Sequence, residues 1–171
     1  MKLSNFDLDG TLAEKWGTRP LPGVGWRLSR LDGHIAVATN QARVGWHAID
    51  GDPYPRPVEV GRRLVRVAEA LPVLEDALWL AAIGARNVDL PPERWRALAA
   101  AVTRAAAPLR VQTSSDVYWR KPRPGMLLEA CETFSVAPDE SLFVGDRQSE
   151  AAAAEAAGTD FVYADRCFDR A

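Results

Sequence analysis

The chain has 171 residues, 47% hydrophobic and 26% charged, which is an ordinary composition for a soluble globular protein. Its formal net charge of −2 argues against non-specific binding to long duplex nucleic acid, which needs a strongly positive field. Cys131 and Cys167 form no CxxC or Cys/His pattern, so a disulfide framework and a zinc site are not expected. The amino terminus lacks the apolar stretch of a signal peptide, and no apolar run approaches the roughly 20 residues of a membrane span. We therefore expect a cytoplasmic protein with reduced thiols.

Apolar runs alternate with helix-like segments from the amino terminus onward. Three short segments predict strands, at Leu3–Phe6, Ile35–Ala38 and Ala77–Ile83; the second is fully apolar, and the third also fits a buried helix. Between them, Val24–Leu31 is a short helix candidate. Val58–Leu71 predicts a longer amphipathic helix, because its apolar residues form one stripe and its other face carries Arg62, Arg63 and Arg66.

The second half of the chain continues this alternation. Pro91-Pro92-Glu93 predicts the start of a helix that ends at Pro108, and another helix follows Pro124-Gly125. Leu142–Val144 and Phe161–Tyr163 predict two more strands, separated by an alanine-rich helix that Gly158 caps. The pattern predicts an α/β fold, a Rossmann-like three-layer sandwich around a central parallel sheet of about five strands, in a single domain over residues 1–171.

Polar residues follow the predicted strands at their carboxyl ends, where parallel sheets bind ligands. Asp7 and Asp9 leave the first strand on the same side, and two carboxylates this close repel unless a cation or a shared proton relieves them. Taken alone, this pair fits a turn with solvated aspartates equally well. The second strand ends in Thr39-Asn40-Gln41, whose hydroxyl and amide groups can bind phosphate oxygens or simply form a turn.

Two later segments add a cation and further acids. Lys121 precedes a predicted helix and can neutralise a phosphate or a carboxylate pair, although a solvated basic loop is the simpler interpretation of that segment alone. Asp146 and Glu150 follow the fourth predicted strand, and carboxylate oxygens suit magnesium. Together, the segments supply the nucleophile, general acid and base, metal ligands and counter-charge that phosphoryl transfer to a carboxylate requires.

The order of these motifs resembles the haloacid dehalogenase (HAD) superfamily of phosphatases. The motifs are DLDGTL, TNQ, RKPRPGM and VGDR, spread from Phe6 to Glu150. The TNQ and RKPRPGM forms are most similar to a small-capped branch that contains histidinol phosphatases, heptose bisphosphatases and polynucleotide 3′-phosphatases. The resemblance implies that Asp7 attacks phosphorus and forms an aspartyl phosphate, and that Asp9 protonates the leaving alcohol and then activates water.

The resemblance also implies how phosphate and metal are held. Thr39 and Asn40 would bind the phosphoryl oxygens, and Lys121 would stabilise their charge. Magnesium would be held by the Asp7 carboxylate, the Asp9 main-chain carbonyl and Asp146. Glu150 stands where the family more often has aspartate, and because it is one methylene longer we expect it to contact the metal only indirectly.

The sequence departs from that branch in two places. The stretch Thr113–Trp119 lacks the Cys/His zinc loop, and Arg43 replaces the usual glycine after TNQ, so both features weaken a sugar-phosphate or histidinol assignment. The interval from Asp9 to Thr39 is too short for a large cap. Residues 84–115 form either a small cap or an extra packed helix, and an open site would admit a polynucleotide end.

Aromatic and basic residues in the predicted loops bear on the substrate. These residues either stack bases and neutralise phosphates or pack within the protein. They are Trp16, Trp46, Trp119, Arg43, Arg56 and Arg123. We take Arg43 and Arg123 as phosphate-binding candidates. The sequence predicts a magnesium-dependent phosphomonoester hydrolase that favours a nucleotide or polynucleotide 3′-phosphate. A small-metabolite phosphatase and a catalytically silent phosphate-binding module are the alternatives. The sequence does not determine the oligomeric state or whether water is always the acceptor of the phosphoryl group.

Overall fold

The computed structural model describes residues 2–168. Its strands form one parallel sheet in the order β4-β3-β2-β1-β5-β6. They are β1 (Leu3–Phe6), β2 (His34–Asn40), β3 (Leu78–Ala82), β4 (Arg110–Ser114), β5 (Ser141–Gly145) and β6 (Asp160–Tyr163). Because β1 is central and lies between β2 and β5, the three strands that carry most of the predicted site residues end side by side.

Helices cover both faces of this sheet. They are α1 (Val24–Leu28), α2 (Arg43–Asp50), α3 (Pro57–Ala70), α4 (Pro92–Ala105), α5 (Gly125–Phe134), α6 (Gln148–Ala157) and α7 (Ala164–Cys167). On one face, α1, α3 and α7 pack around Phe6 and Trp79, and on the other α5 and α6 pack around Leu80 and Phe143. Side chains that point to opposite faces of the strands therefore pack into two separate cores. This confirms the predicted three-layer α/β sandwich. None of the helices within residues 2–168 combines the length and the apolar character needed to cross a membrane.

The five predicted strands are confirmed, and β4 adds a sixth. The ambiguous run at Ala77–Ile83 contains strand β3, whose five residues are all buried between β2 and β4. The alanine-rich helix ends as predicted, with Gly158 in the left-handed region at φ 75°. One placement was wrong: Arg43 and Trp46 lie on helix α2 rather than in a loop. Arg56 directly precedes α3, as its N-cap.

Residues 84–115 contain α4 and β4. Strand β4 pairs along β3, from Leu78 opposite Arg110 to Ala82 opposite Ser114. Helix α4 lies against α3 so closely that a Cβ at Gly61 would come within 2.4 Å of the Val102 carbonyl oxygen. The segment thus extends the layers of the sandwich at the edge of the sheet.

Candidate active site

The chain turns sharply where β1 ends, and this turn presents two aspartates. The backbone N–H of Asp7 still donates to the Val144 carbonyl of β5 at 2.9 Å, so Asp7 is fixed by the sheet. Leu8 is fully buried in the core, whereas Asp7 and Asp9 both line the same pocket, as strand alternation predicts. Gly10 has φ 89°, and a Cβ there would lie 2.4 Å from Asp146 Oδ2. Glycine is therefore required both for the turn and for the approach of the Asp146 carboxylate.

Lys121 is the cation at the centre of the site. Its buried Nζ donates to Asp7 Oδ1 and to the Ala38 carbonyl at 2.9 Å, and lies 3.5 Å from Glu150 Oε1. Asn40 braces the lysine backbone: its Nδ2 donates to the Lys121 carbonyl at 3.3 Å, and its Oδ1 accepts from the Lys121 N–H at 3.1 Å. The end of β2 thus holds the loop that delivers Lys121 to Asp7.

Asp9 is held by a residue that sequence reasoning missed. Arg63 of α3 donates to Asp9 Oδ1 from Nη2 at 2.6 Å and to Oδ2 from Nη1 at 3.3 Å. Its Nε donates to the Gly17 carbonyl at 2.9 Å, and the Trp16 N–H donates to Asp9 Oδ1 at 2.8 Å. The Asp9 carboxylate is therefore fixed from the helix and from its own loop. Trp16 adopts φ 60°, a conformation that is unusual for a bulky residue and that this contact helps to hold.

Carboxylates crowd the end of the sheet. Burial raises the pKa of Asp7, the Lys121 ammonium opposes that rise, and the neighbouring charges of Asp9 and Asp146 add to it. Burial also raises the pKa of Glu150, again opposed by Lys121. Carboxylate oxygens of Asp7, Asp146 and Glu150 lie within 4.8 Å of one another. Three acids around one lysine carry an excess of negative charge, so this oxygen donor set fits a divalent cation such as magnesium.

Most of the predicted site residues converge on one small pocket of about 80 Å³, which we call the Asp7 pocket. Its walls include Asp7, Asp9, Thr39, Asn40, Lys121 and Glu150. Asp146 joins this group through its carboxylate. Thr39 is buried, and its Oγ1 accepts a hydrogen bond from Gln41 Nε2 at 2.8 Å. Trp16, which the sequence analysis named as a residue that could stack a base, also lines the pocket, as do Lys15, Arg147 and Ser149, which it did not name as site residues.

The two predicted phosphate-binding arginines lie outside the Asp7 pocket, in larger cavities beside it. Arg43 lines a cavity of about 510 Å³, the Trp16 cavity, where its guanidinium stacks 4.3 Å from the Trp16 ring centre. Arg123 lines another cavity, of about 460 Å³. Trp16 is shared between the Asp7 pocket and the first cavity, and Lys121 between the pocket and the second. The small pocket therefore shares one wall residue with each of two larger cavities.

The Glu150 carboxylate makes two contacts, one from each oxygen. Its Oε2 accepts the Arg147 N–H at 2.7 Å and so caps helix α6, while its Oε1 faces Lys121. The side chain is almost completely buried, and Gly145 leaves room for it, because a Cβ there would lie 2.7 Å from Glu150 Cβ. The longer side chain is thus anchored by the helix end beside the Asp7 and Asp146 carboxylates.

Comparison with known proteins gives a partial match to one family model and a likeness of fold. Residues 118–165 match a family model described as HAD-hydrolase-like. Comparison with curated protein sequences finds no match. A solved structure described as a HAD-like phosphatase, from Mesorhizobium loti, superposes with a TM-score of 0.59 at 22% identity, covering 93% of this chain and 69% of that one.

A second solved structure is D,D-heptose 1,7-bisphosphate phosphatase from B. bronchiseptica, complexed with magnesium and phosphate. It superposes with a TM-score of 0.55 at 20% identity, covering 94% of this chain and 79% of that one. At such identities the likeness concerns the fold. The chain is HAD-like in sequence over residues 118–165 and has the fold of HAD-like phosphatases over nearly all of its length.

Proposed function

We propose that this chain is a magnesium-dependent phosphomonoester hydrolase that works through an aspartyl phosphate on Asp7. The observation that carries the proposal is the buried contact between the Asp7 carboxylate and the Lys121 ammonium, at the base of a pocket that Asp9 also lines. A buried lysine beside a carboxylate supplies the fixed positive charge on which phosphoryl transfer depends.

The reaction has two displacements at phosphorus. In the first, which requires Asp9 in its protonated form, an Asp7 oxygen forms a bond to phosphorus while the bond from phosphorus to the leaving oxygen breaks, and Asp9 gives its proton to that oxygen. In the second, Asp9 takes a proton from water, whose oxygen attacks phosphorus and breaks the bond to Asp7. Inorganic phosphate leaves, and both aspartates return to their starting state.

The remaining residues hold charge and position. Lys121 balances the negative charge of Asp7 and of the transferring group, and Thr39 and Asn40 bind phosphoryl oxygens as the resemblance implies. The Asp7 and Asp146 carboxylates and the Asp9 main-chain carbonyl would hold magnesium, with Glu150 contacting it indirectly. When bound, the metal supplies positive charge that lowers the repulsion between these carboxylates and the phosphate.

We further propose a nucleotide or a polynucleotide 3′-end as the substrate. Support comes from Trp16, which is 46% exposed, lies beside Asp9 and carries the Arg43 guanidinium over its ring. The Trp16 cavity also contains Tyr54 and adjoins the Asp7 pocket. An exposed indole beside a guanidinium offers a stacking surface for a base and charge for its phosphates.

The test is phosphate release with magnesium across a matched set of substrates: an aryl phosphate, histidinol phosphate, sugar phosphates, nucleoside 3′- and 5′-monophosphates and a 3′-phosphorylated oligonucleotide. We expect the 3′-phosphorylated nucleic acids to have the highest kcat/KM. Preference for one small metabolite would contradict the nucleic-acid assignment and leave the phosphatase assignment intact. If the folded protein released phosphate from none of them, a silent phosphate-binding module would replace the enzyme.

Trp16→Ala tests the stacking surface, and Trp26→Ala is its matched control. Trp26 lies on α1, is 57% exposed and carries the Arg30 guanidinium 3.9 Å from its ring centre, but it lines neither the Asp7 pocket nor the Trp16 cavity. We expect Trp16→Ala to lower kcat/KM for the oligonucleotide by about tenfold relative to the aryl phosphate, the loss of one stacked base. An equal loss in both variants would contradict base stacking at Trp16.

A further inference from the structure

The second cavity beside the Asp7 pocket is lined by cations. It has a volume of about 460 Å³, and its walls include Trp46, Arg86, Asn87, Arg120, Lys121 and Arg123. We call it the arginine cavity. It lies at the carboxyl end of the sheet, between α2, the loop after β3 and the loop after β4. In parallel sheets this end is where ligands bind.

The guanidinium groups of the arginine cavity carry positive charge that no acidic wall residue among the described residues balances. Lys121, the remaining cation of the wall, is paired with Asp7 and Glu150. Within residues 2–168, neither Arg86, Arg120 nor Arg123 takes part in an ion pair. A cluster of guanidinium groups with no acid beside it is a site to which anions are attracted.

The Arg120 guanidinium gives the most direct indication that an anion binds in this cavity. Its Nη1 is buried and has no hydrogen-bond partner among the described residues. Burial lowers the pKa of this guanidinium, and the nearby charge of Arg86 lowers it further. Buried donors are nearly always satisfied in folded proteins, and two neighbouring cations repel. An anion bound between Arg86 and Arg120 would satisfy the donor and remove the repulsion.

The arginine cavity is joined to the Asp7 pocket through residue 121. The Lys121 side chain faces Asp7, whereas the residue also forms part of the cavity wall, and Asn40 holds its backbone on both sides. The pocket and the cavity therefore share a wall, and a substrate that occupied both would run along this loop. Guanidinium groups bind phosphate and carboxylate oxygens with paired hydrogen bonds.

We propose that the arginine cavity binds a second anionic group of the substrate, with Arg86, Arg120 and Arg123 as its ligands. The proposal rests on the proposed function and deepens it, because it restricts the substrate to molecules with a second phosphoryl or carboxylate group beyond the phosphate that is removed. Two sources share this chemistry: the phosphodiester next to a polynucleotide 3′-phosphate, and the second phosphate of a small bisphosphate.

The experiment measures binding to the Asp7→Asn protein with magnesium, so that ligands are not consumed. Two matched pairs are compared by calorimetry: a nucleoside 3′-monophosphate with the 3′-phosphorylated dinucleotide, and a sugar monophosphate with the corresponding bisphosphate. In at least one pair, we expect the second anionic group to tighten Kd by about tenfold or more. The pair with the larger gain identifies the source of the second anion.

Arg86→Gln and Arg120→Gln, each in the Asp7→Asn background, should reduce that gain to about threefold or less, and higher salt should reduce it as well. Arg104→Gln removes the same charge from the exposed face of α4 and should leave the gain unchanged. The proposal is overturned if the second group gives no gain in either pair, or if all three variants lose it equally. Arg86→Gln changes only an exposed side chain, so this arm does not depend on the partly buried Arg120.

Wild-type turnover of an aryl phosphate separates the two proposals. An active enzyme that binds bisphosphates and dinucleotides no better than monophosphates would overturn the arginine cavity alone. A folded protein with no turnover would overturn the proposed function, whereas a gain in binding that depends on Arg86 would still support an anion site in that protein.

Discussion

Arg63 and Asp9 lie 54 residues apart in sequence and form a two-pronged ion pair, Nη2 to Oδ1 at 2.6 Å and Nη1 to Oδ2 at 3.3 Å. Both side chains are largely buried, with 12% and 14% of their surface exposed. A planar guanidinium on a carboxylate fixes direction as well as distance. The proposed acid and base is therefore positioned by helix α3, and not only by the strand that carries it.

Substitution of Arg63, which positions Asp9, should slow catalysis. We expect Arg63→Met to lower kcat for an aryl phosphate by about 10- to 100-fold with a smaller change in KM, because Asp9 loses its fixed direction. Arg63→Lys keeps the charge but not the paired geometry and should recover part of the rate. Arg104→Met serves as the surface control. Steady-state kinetics that showed a change in KM alone would mean that Arg63 binds substrate and does not position Asp9.

Asp7→Asn should abolish turnover, with kcat lower by about 10⁴-fold or more, since the amide cannot attack phosphorus. Rapid quenching of the wild-type enzyme with a ³²P-labelled substrate should trap labelled protein, and the variant should trap none. Circular dichroism checks that the variant is folded. Turnover retained by a folded Asp7→Asn protein would exclude Asp7 as the nucleophile.

Asp9→Asn should slow both displacements, because one carboxyl group serves as acid and then as base. The expected loss is about 10²- to 10⁴-fold for an alkyl phosphate. An aryl phosphate with an acidic leaving group needs little protonation, so its first step should be much less affected, and labelled Asp7 should accumulate. Single-turnover measurements with both substrates check this. Equal losses in the first step for both would show that Asp9 does not protonate the leaving oxygen.

Chelation should stop phosphate release, and added magnesium should restore it. Asp146→Asn removes one of the three carboxylates that lie within 4.8 Å of one another, so it should raise the magnesium concentration needed for half-maximal activity by at least about tenfold. Magnesium should also raise the Tm of the wild type more than that of the variant. Full activity in excess chelator would contradict the metal site.

Without metal, the stabilising contribution of Asp7 and Glu150 should fall as the pH rises from acidic to neutral values. Burial raises the pKa of Asp7 above its ordinary 3.8 and that of Glu150 above its ordinary 4.5. The folded state then binds these protons more tightly than the unfolded state. Their stabilisation is complete below the ordinary values and is lost as the pH rises through the raised ones.

Urea unfolding in chelator at several pH values tests this expectation. Glu150→Gln keeps an acceptor for the Arg147 N–H while removing the titrating group, so its free energy of unfolding should depend less on pH than that of the wild type. Parallel curves for the two proteins would show that Glu150 does not contribute to the pH dependence.

The sequence predicted the strands that are fully buried within the sheet. Leu3–Phe6 and Leu78–Ala82 lie inside the sheet and are wholly buried, and strands were predicted at both places. Strand β4 was missed, because at the sheet edge it is only partly buried and reads as polar, RVQTS. Helix α2 was missed because Gly45 interrupts its pattern, and the structure shows why glycine is there: a Cβ would lie 2.7 Å from the Trp95 ring.

The site residues likewise include some that the sequence predicted and one that it did not. Asp7, Thr39 and Lys121 belong to short motifs at or beside strand ends, and parallel strands bring such ends together. Arg63 has no comparable signal. In sequence it looks the same as Arg62 and Arg66 on the polar face of one helix, and only the packing of α3 beside the turn after β1 distinguishes it.

The edge position of β4 also bears on association between molecules. Strand β3, with the sequence LWLAA, would present unpaired N–H and C=O groups on an apolar surface if β4 were absent. Exposed apolar edges recruit strands from other molecules and lead to aggregation. The polar residues Arg110, Gln112 and Thr113 make a safer outer edge, so residues 84–115 protect the sheet from self-association. A version of the protein shortened by removing them would be expected to precipitate before its activity could be measured.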